Sequence, residues 1–455
     1  MELSEFEKVL GQWGLPEAAL RTFSRLYSRY QENISSALDW ESIRSPEASR
    51  LIEWGNLPVP DDGRASEALS RLVVCKLNGG LGTSMGCQGP KSSIVVQEGK
   101  SFLDLIVMQL EDLDRTAGAS IPLLLMNSFY THEDTRRVLE GMKCSFPVNL
   151  FQQNRFLRLD KETGHLLDPG RWGNDAWYPP GHGDIYSCLY DQGILERYLT
   201  LGKEILFVSN ADNLGAVIDP RIVHFMLKND VPFLMEMTPK TPADIKGGTL
   251  YQDAGGKLCL LELAQVPAEY RDEFCSTRKF KVFNTNNIWI NLKHLKRRMD
   301  RGPLDLNLII NEKQVKGHPV IQLETAIGAA LEHFDGAIGL VVGRERFLPV
   351  KNTSDLMLIQ SNLFTFRNGR MIRNPAFDGK ELPLIKWASP FTHLEEFQKR
   401  IPVLPDLRDL VSLTLEGDVA FEGEVQLKGK VTLISREKPI RIPAGALLEN
   451  CETVQ

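Results

Sequence analysis

The chain has 455 residues, of which 42% are hydrophobic and 25% are charged, as is ordinary for a globular protein. Lysine and arginine total 53 against 59 aspartates and glutamates, so the net charge is −6. Proteins that bind nucleic acid or anionic membranes need a basic surface, and this balance argues against both classes. The length allows one large domain with one or two smaller ones.

Targeting signals and cysteine usage both favour a cytoplasmic protein. The chain starts with the acidic stretch 1–7, which lacks the apolar core of a secretory signal. No apolar run approaches the roughly 18 residues that a membrane span requires. The seven cysteines contain no C-x-x-C pair and no Cys/His cluster, which argues against a disulfide scaffold and a structural zinc site. We therefore expect a reducing compartment.

Residues 1–65 are predicted to form an N-terminal helical segment. Apolar residues recur there three and four positions apart, which is the period of an amphipathic helix. The two apolar stripes are Phe6, Val9, Leu10 and Trp13, then Leu20, Phe23, Leu26, Tyr27 and Tyr30. The proline-rich stretch 58–63 interrupts the pattern and predicts a linker.

Short apolar runs alternate with amphipathic helices through residues 66–400. This alternation predicts an α/β domain with a parallel, mostly doubly wound sheet. One predicted helix carries an apolar face formed by Phe102, Leu105, Ile106, Leu110 and Leu113. The predicted strands are 71–77, 121–126, 205–208 and 231–237, with less regular strands at 258–263 and 286–292.

A proline-rich segment at 401–405 marks the start of a predicted C-terminal unit, 401–455. Gly417, Gly423 and Gly429 are six residues apart, and apolar residues between them keep the same spacing. Such a six-residue period is typical of a parallel β-helix, and a short meander of hairpins is the alternative. Because so short a solenoid needs packing partners, we expect it to dock on the preceding domain, on a second subunit, or on both.

The most informative stretch is the glycine-rich segment 76–92, which follows the first strong predicted strand. Its five glycines leave backbone amides open to an anion, and Lys91 adds a positive charge. Open α/β sheets bind ligands at the carboxyl ends of their strands, so this segment predicts a phosphate site. The dinucleotide fingerprint fails at Met85 and the P-loop pattern fails at Pro90. The alternative of a flexible linker does not explain the preceding strand.

The stretch Leu-Asn-Gly-Gly-Leu-Gly-Thr-Ser-Met-Gly, followed by Gly-Pro-Lys-Ser, resembles the signature of the eukaryotic-type UTP–glucose-1-phosphate uridylyltransferases (UDP-glucose pyrophosphorylases). Further blocks in family order extend the resemblance over about 70–450. Among them are Trp177–Asp184, Ser209–Gly215, Lys246–Leu250, Phe283–Asn287, Gln322–Ala326 and Arg346–Lys351. The family usually has Asn-Ser-Asp where this chain has Asn210, Ala211 and Asp212, which removes a hydroxyl and keeps the carboxylate.

The resemblance implies a Rossmann-like (GT-A-like) nucleotidyltransferase core with a mixed sheet and a C-terminal left-handed parallel β-helix. It also implies Mg²⁺-dependent, reversible transfer of UMP from UTP to glucose 1-phosphate, giving UDP-glucose and diphosphate. Alternatives are a broader uridylyltransferase acting on galactose or N-acetylhexosamine 1-phosphate, or an inactive regulator that binds nucleotide sugars. Retention of two lysines and one aspartate argues against the regulator. Because some members assemble through the C-terminal region, a homo-oligomer is expected.

The resemblance carries specific roles onto matching positions. It implies that Lys91 and Lys351 are catalytic cations on the phosphates and that Asp212 is the Mg²⁺ ligand. It places His182 on the sugar phosphate and Gly181 on the nucleotide, and His182 binds without acid–base work because the reaction needs no proton transfer. The uracil side would consist of Leu77, Asn78, Gly79, Gly80, Met126 and Gln153. The glucose side and its block would contain Asn210, Ala211, Gly248, Glu262 and Asn286.

Without the resemblance, several of these residues have plainer explanations. Asp212 is also typical of a turn or a helix cap, and His182 of a surface turn. Lys351 follows an apolar run and could be a solvated strand end. The asparagine-rich run 284–287 is equally well explained as a capped turn that enters a strand.

Overall fold

The computed structural model describes residues 10–32, 40–87, 89–241, 246–377 and 380–455. Its centre is an eight-stranded mixed sheet. In spatial order the strands are Leu51–Glu53, Ile338–Val341, Phe233–Pro239, Val282–Asn291, Ile205–Asn210, Leu72–Leu77, Leu123–Asn127 and Val148–Gln152. Buried apolar side chains from the strands and the surrounding helices form separate clusters on the two sides of this sheet.

One strand of the central sheet runs against its neighbours. Val282–Asn291 pairs antiparallel with Ile205–Asn210 on one side and with Phe233–Pro239 on the other. All other neighbouring pairs of this sheet are parallel. The mixed sheet confirms the expectation from the resemblance, and it corrects the parallel sheet expected from the apolar runs at one strand, Val282–Asn291. A buried apolar run has the same composition in either direction, so it does not encode strand polarity.

The helices include the one predicted from its apolar face, which spans Phe102–Ala117. Ser101 caps its first turn in a reciprocal arrangement with Asp104, and Gly118 ends it in the left-handed conformation. The other helices are Glu17–Gln31, Asp62–Ser70, His132–Glu140, Pro169–Trp172, Ile185–Asp191, Ile194–Thr200, Pro220–Lys228, Arg271–Cys275, Leu292–Met299, Thr353–Gln360 and Leu394–Arg400. None of the helices in the described ranges is both long and apolar enough to cross a membrane.

The remaining strands form small sheets around the central one. A three-stranded sheet combines Leu308–Val315, His318–Thr325 and Leu159–Asp160. The other short strands are Val95–Gln97, Lys100–Ser101, Phe156–Leu157, Trp177–Tyr178, Thr249–Gln252, Leu258–Leu261, Phe364–Arg367 and Arg370–Arg373. The C-terminal strands are Leu384–Trp387, Asp406–Glu416, Val419–Phe421, Gln426–Ile434, Ile440–Ile442 and Leu447–Val454.

The N-terminal segment 1–65 is only partly helical. The second apolar stripe lies on the helix Glu17–Gln31, where Phe23 is buried and stacks on Phe156 with ring centroids 4.5 Å apart. In the first stripe, Phe6 and Val9 lie outside the described residues. Leu51–Glu53 is an edge strand of the central sheet, which corrects the helical prediction for this part of the segment. A three-residue strand is too short to display a period.

The strands of the C-terminal region pair in parallel. Leu413 faces Val431, 18 residues later, and Val431 faces Cys451. The alternative of a hairpin meander is therefore wrong, since hairpins pair antiparallel strands. Leu384–Trp387 joins the same sheet, so this sheet begins before the boundary predicted at residue 401. Prolines at 401–405 interrupt a helix or strand but do not by themselves separate domains.

Candidate active site

Three predicted site residues lie side by side at the carboxyl edge of the central sheet. Asn210 pairs with Leu77, and Leu77 pairs with Met126. Leu77 and Asn210 end their strands, Met126 is the last but one residue of its strand, and the glycine-rich segment continues directly from Leu77. This edge is where an open α/β sheet forms its ligand crevice. The row of strand ends therefore brings together residues that are far apart in sequence.

A cavity of about 320 Å³ opens above this row of strand ends. The predicted residues that line it are Leu77, Asn78, Gly79, Gly80, Lys91, Met126, Gln153, Gly181, His182, Asn210, Ala211 and Asp212. Four further lining residues carried no predicted role: Ser92, Pro179, Gln322 and Glu324. Most predicted uracil and phosphate contacts thus line one cavity, while four other predicted residues do not.

Gly79 and Gln153 form one wall of the cavity. A Cβ atom on Gly79 would lie 2.2 Å from Gln153 Nε2, so only glycine leaves room for this amide. The Gln153 backbone N–H donates to the carbonyl of Asn127 at 2.8 Å, which ties the residue to a strand end. Its side-chain Oε1 is buried and has no partner among the described residues. An unsatisfied buried acceptor favours a donor on a ligand.

Asn78 supports the glycine-rich segment from below. Its Nδ2 donates to Asn127 Oδ1 at 2.7 Å and to Thr135 Oγ1 at 2.9 Å. Both amide hydrogens are therefore used inside the protein, and none remains for a ligand. Thr131 Oγ1 donates to the Asn78 carbonyl at 2.8 Å, and Ser128 Oγ donates to the Gly79 carbonyl at 2.8 Å. These bonds, three of which are buried, restrain the loop.

Lys91 and Asp212 form an ion pair at the cavity. Lys91 Nζ lies 2.6 Å from Asp212 Oδ2, and both side chains are mostly buried. The other carboxylate oxygen, Asp212 Oδ1, is buried and has no hydrogen-bond partner in the described part of the chain. Burial of an unpaired carboxylate oxygen is costly, so this atom is suited to a cation or a hydrogen-bond donor that arrives with the substrates.

Asp212 fits an Mg²⁺ site in which the protein supplies a single carboxylate. The described residues contain no group of three or more His, Cys, Asp or Glu side chains that could enclose a metal ion. Mg²⁺ is usually held by one or two carboxylates together with substrate phosphates and water, which requires no such group. The open Asp212 Oδ1 supplies one oxygen of the right kind. Ala211 lines the cavity beside it and is buried.

His182 is held as a neutral imidazole. Its Nδ1 accepts the backbone N–H of Ile327 at 2.9 Å, which leaves the ring proton on Nε2. Burial lowers the pKa of His182 to about 4, so the ring stays neutral near pH 7. Gly181 precedes it with φ of 85°, and a Cβ there would lie 2.5 Å from the Thr325 carbonyl oxygen. Only glycine permits this close approach of the two segments.

The predicted glucose residues Gly248, Glu262 and Asn286 do not line the cavity. Asn286 adopts φ of 62°, and its Nδ2 donates to Asn210 Oδ1 at 2.9 Å. It therefore contacts a lining residue. A Cβ on Gly248 would lie 2.5 Å from Glu262 Oε1, so these two residues form a neighbouring cluster. Burial raises the pKa of Glu262 to about 7.

Lys351 is exposed and does not line the cavity either. The preceding residue, Val350, donates its backbone N–H to the Asp212 carbonyl at 3.1 Å. Lys351 N–H itself donates to Asp355 Oδ2 at 2.8 Å, next to the helix Thr353–Gln360. Lys351 therefore directly follows Val350, whose backbone is hydrogen-bonded to Asp212.

Comparison with known proteins identifies the family. The family model of the UTP–glucose-1-phosphate uridylyltransferases matches residues 20–428, most of the chain. The chain belongs to this family. Its members are uridylyltransferases that act on UTP and glucose 1-phosphate, so the chain is an enzyme of this class. The resemblance that the sequence motifs indicate is thereby confirmed.

Relatives in this family match over nearly their whole length. The chain is 47% identical to the UTP–glucose-1-phosphate uridylyltransferase of Hordeum vulgare over 433 residues, which is 94% of this chain and 91% of that protein. The Solanum tuberosum enzyme of the same name is 46% identical over 434 residues, with the same two coverages. Both identities are well above the level at which two chains share a fold.

Solved structures in this family have the same architecture. The UDP-glucose phosphorylase of Trypanosoma brucei is 34% identical, with a TM-score of 0.88 over 99% of this chain and 98% of that one. The UDP-glucose pyrophosphorylase of Leishmania major, solved as a point mutant in complex with UDP-glucose, is 32% identical with a TM-score of 0.88 over 98% of each chain. The mixed α/β fold is therefore that of the family.

Two lining residues that carried no predicted role come from the small three-stranded sheet. Gln322 and Glu324 lie on the strand His318–Thr325 and share one face, because side chains two apart point the same way. With its amide oriented by its neighbours, Gln322 accepts from Arg158 Nε at 2.8 Å and donates to Glu324 Oε1 at 3.1 Å. The available signal was their place in a family block, but nothing in the sequence shows that this strand faces the cavity.

Proposed function

We propose that this chain catalyses Mg²⁺-dependent transfer of UMP from UTP to glucose 1-phosphate in the cavity described above. The observation that carries this proposal is the Lys91–Asp212 pair, which stands at the carboxyl edge of the sheet with Asp212 Oδ1 open. A phosphate oxygen of glucose 1-phosphate attacks the α-phosphorus of UTP. The bond to the β-phosphate oxygen breaks, and diphosphate leaves with the negative charge. No proton transfer and no covalent intermediate is required.

Both substrates are polyanions, so the protein must offset their repulsion and align them. The amides of the glycine-rich segment and Lys91 provide positive charge at the cavity. Neutral His182 offers its Nε2–H as a donor to a phosphate oxygen. Because its donor role needs only a neutral ring, His182 binds the substrate and stabilises charge without exchanging a proton.

Asp212 is the proposed Mg²⁺ ligand, through Oδ1. When bound, the ion would neutralise charge on the phosphates and thereby favour departure of diphosphate. Lys91, on Oδ2, holds the carboxylate in place and offsets its charge before the substrates bind. This arrangement also explains why a lysine and an aspartate of opposite charge share a polyanion site.

Gln153 and the loop 77–80 are proposed to bind the uracil, whose imide N–H matches the open Gln153 Oε1. Asn210, Asn286 and the Gly248–Glu262 cluster are proposed to bind glucose hydroxyls. In support, Asn286 already contacts Asn210 at the edge of the cavity. Lys351 is proposed as a second cation that reaches the phosphates from the segment bonded to Asp212.

The C-terminal region is proposed to be a left-handed parallel β-helix that supports a homo-oligomer. Parallel pairing at a distance of 18 residues, three six-residue lengths, favours the solenoid. The last strand, Leu447–Val454, is at the end of its sheet and exposes half of Leu447 and of Val454. An unpaired edge of this kind invites pairing with a second copy.

Light scattering tests this assembly. Leu447→Lys should lower the mass of the particle if the edge is an interface, whereas Leu201→Lys, at an exposed leucine of the catalytic region, should leave it unchanged. An unchanged mass in both variants contradicts assembly through this strand.

A cytoplasmic location is proposed as well, in agreement with seven free thiols.

The activity is tested by diphosphate release from UTP with a panel of sugar 1-phosphates, with and without Mg²⁺. Turnover that is fastest with glucose 1-phosphate supports the proposal. Equal or faster turnover with galactose or N-acetylhexosamine 1-phosphate favours a broader or different uridylyltransferase. UDP-glucose binding without turnover identifies the inactive regulator. Turnover that persists after chelation of divalent ions contradicts the Mg²⁺ role.

A further inference from the structure

We infer that Asn213 is a positioning residue that sets Lys351 relative to Asp212. The inference rests on the proposed function, in which those two residues act on the phosphates. Asn213 follows Asp212 directly and is almost fully buried, with 4% of its surface exposed. Its side chain does not line the cavity, so it acts through its neighbours.

The turn that carries Asp212 pairs with the segment that leads to Lys351. The backbone N–H of Leu214 donates to the Leu348 carbonyl at 3.2 Å, and the N–H of Val350 donates to the Asp212 carbonyl at 3.1 Å. Between these two bonds Asn213 faces Pro349 in an isolated antiparallel bridge. The pairing is only a few residues long, so its backbone bonds alone define the register weakly.

The Asn213 side chain reinforces this short pairing. Its Oδ1 accepts the N–H of Leu348 at 2.9 Å and that of Gly215 at 3.1 Å. One oxygen therefore ties the turn to itself and to the opposite segment. The close contact is also visible at Gly215, where a Cβ would lie 2.5 Å from the Arg346 carbonyl carbon. The two segments are in direct backbone contact at this point.

The amide nitrogen of Asn213 connects the same side chain to a buried hydrogen-bond network. Its Nδ2 donates to Asn287 Oδ1 at 3.1 Å. Asn287 Nδ2 in turn donates to Glu236 Oε2 at 3.1 Å and to the Arg346 carbonyl at 3.2 Å. Glu236 and Arg346 are a buried ion pair, with Arg346 Nε 2.8 Å from Oε2. Buried networks of this kind specify one arrangement when every member is satisfied.

These contacts require both halves of the amide. An acceptor is needed toward Leu348, and a donor is needed toward Asn287. Leucine has the same branching at Cγ and supplies neither. Aspartate keeps the acceptor and loses the donor. Because Lys351 lies three residues beyond Leu348, loss of the acceptor frees the segment that carries the lysine. Misplacement of a reacting group by about 1 Å lowers rates by roughly 10²-fold.

The test is a double-mutant cycle in the full-length chain, with steady-state kinetics and thermal unfolding of every variant. We expect Asn213→Leu to lower kcat by about 10- to 100-fold with little change in KM for UTP. Asn213→Asp, which retains the acceptor, should recover part of this loss. In the Lys351→Ala background, the Asn213→Leu substitution should lower kcat further by less than about threefold. The reason is that the group that Asn213 positions is already absent.

A matched control separates positioning from general stability. Asn291 is a buried asparagine that ends the strand containing Asn287, and it caps the helix Leu292–Met299. Asn291→Leu should lower the unfolding temperature without the selective loss of kcat. If Asn213→Leu does not fold, the cycle is run with Asn213→Asp, whose expected loss of kcat is smaller because it keeps the acceptor toward Leu348.

Two results overturn the inference. If kcat losses from Asn213 and Lys351 substitutions multiply, the asparagine does not act through the lysine. If Asn213→Leu and Asn213→Asp retain normal kcat, it positions nothing. A Lys351→Ala enzyme with near-normal turnover would instead show that the proposed role of Lys351 is wrong, and the inference would be wrong with it.

Discussion

Lys91 and Asp212, 121 residues apart in sequence, meet at the cavity with Nζ 2.6 Å from Oδ2, while Oδ1 has no partner among the described residues. The lysine thus neutralises the aspartate and fixes its orientation, and one oxygen remains open. The pair links the glycine-rich segment to the end of the strand Ile205–Asn210. A polyanionic substrate that enters this site meets a cation at once and a carboxylate whose charge is already offset.

Replacing Lys91 with methionine is expected to lower kcat by roughly 10²–10⁴-fold, the range for losing one preorganised charge stabiliser. The change also leaves Asp212 without its partner, so binding of UTP should weaken because two negative groups then repel. Steady-state kinetics over a range of UTP concentrations measures both effects. Lys100→Met, at an exposed lysine nine residues later in the chain, is the control. Near-normal kcat in Lys91→Met would contradict the charge role.

Asp212→Asn is expected to raise the Mg²⁺ concentration needed for half-maximal rate, since an amide oxygen is a weaker ligand than a carboxylate. Recognition of the uracil should change little, because its proposed contact is Gln153 beside Gly79 and not Asp212. The measurement is kcat against Mg²⁺ concentration at saturating UTP and glucose 1-phosphate. An unchanged Mg²⁺ curve with normal turnover would remove Asp212 from the metal site.

Gly79→Ala is expected to raise KM for UTP more than it lowers kcat. The added methyl would lie 2.2 Å from Gln153 Nε2, so the amide must move from its place on the cavity wall. Base binding contributes about equally to the ground state and the transition state, and its loss therefore appears in KM. Gly55→Ala, where a Cβ meets no atom within 4 Å, is the control. A selective fall in kcat would show that the loop acts on the reacting phosphates.

The acid limb of the pH profile should not contain a His182 titration near 6.5. Burial lowers its pKa to about 4, so the ring stays neutral until the pH falls well below neutrality. Nitrogen NMR of the imidazole measures this directly. The unfolded chain binds this proton near pH 6.5 and the folded chain near 4, so the histidine lowers stability as pH falls through that window, by at most about 3 kcal/mol. A ring that titrates above 6 would contradict the buried neutral state.

Arg346→Ala is expected to destabilise the fold strongly. Glu236 is fully buried, and the substitution would leave its carboxylate without the guanidinium. Breaking a buried ion pair on one side typically costs about 3–5 kcal/mol. Denaturant unfolding measures the change. Replacing both partners with apolar residues, as in Glu236→Leu with Arg346→Met, should recover much of the stability, and a double variant as unstable as Arg346→Ala would refute that account.

Local features of the sequence sufficed to predict several elements of this protein. The helix Phe102–Ala117 carries its own cap, apolar face and terminal glycine, so neighbouring residues determine it. The glycine-rich segment likewise predicted a phosphate site, since its glycines and Lys91 lie close together in sequence. The family blocks identified most of the residues that line the cavity.

Only the tertiary structure decided which distant residues meet. The antiparallel direction of Val282–Asn291, the position of Gln322 on the cavity wall and the bond between Asn213 and Asn287 depend on segments that are distant in sequence. Periodicity indicates which face of a helix or strand is buried, but it does not indicate which other element packs against that face. Contacts such as the Lys91–Asp212 pair arise when packing brings strand ends together, so they become visible only in the folded chain.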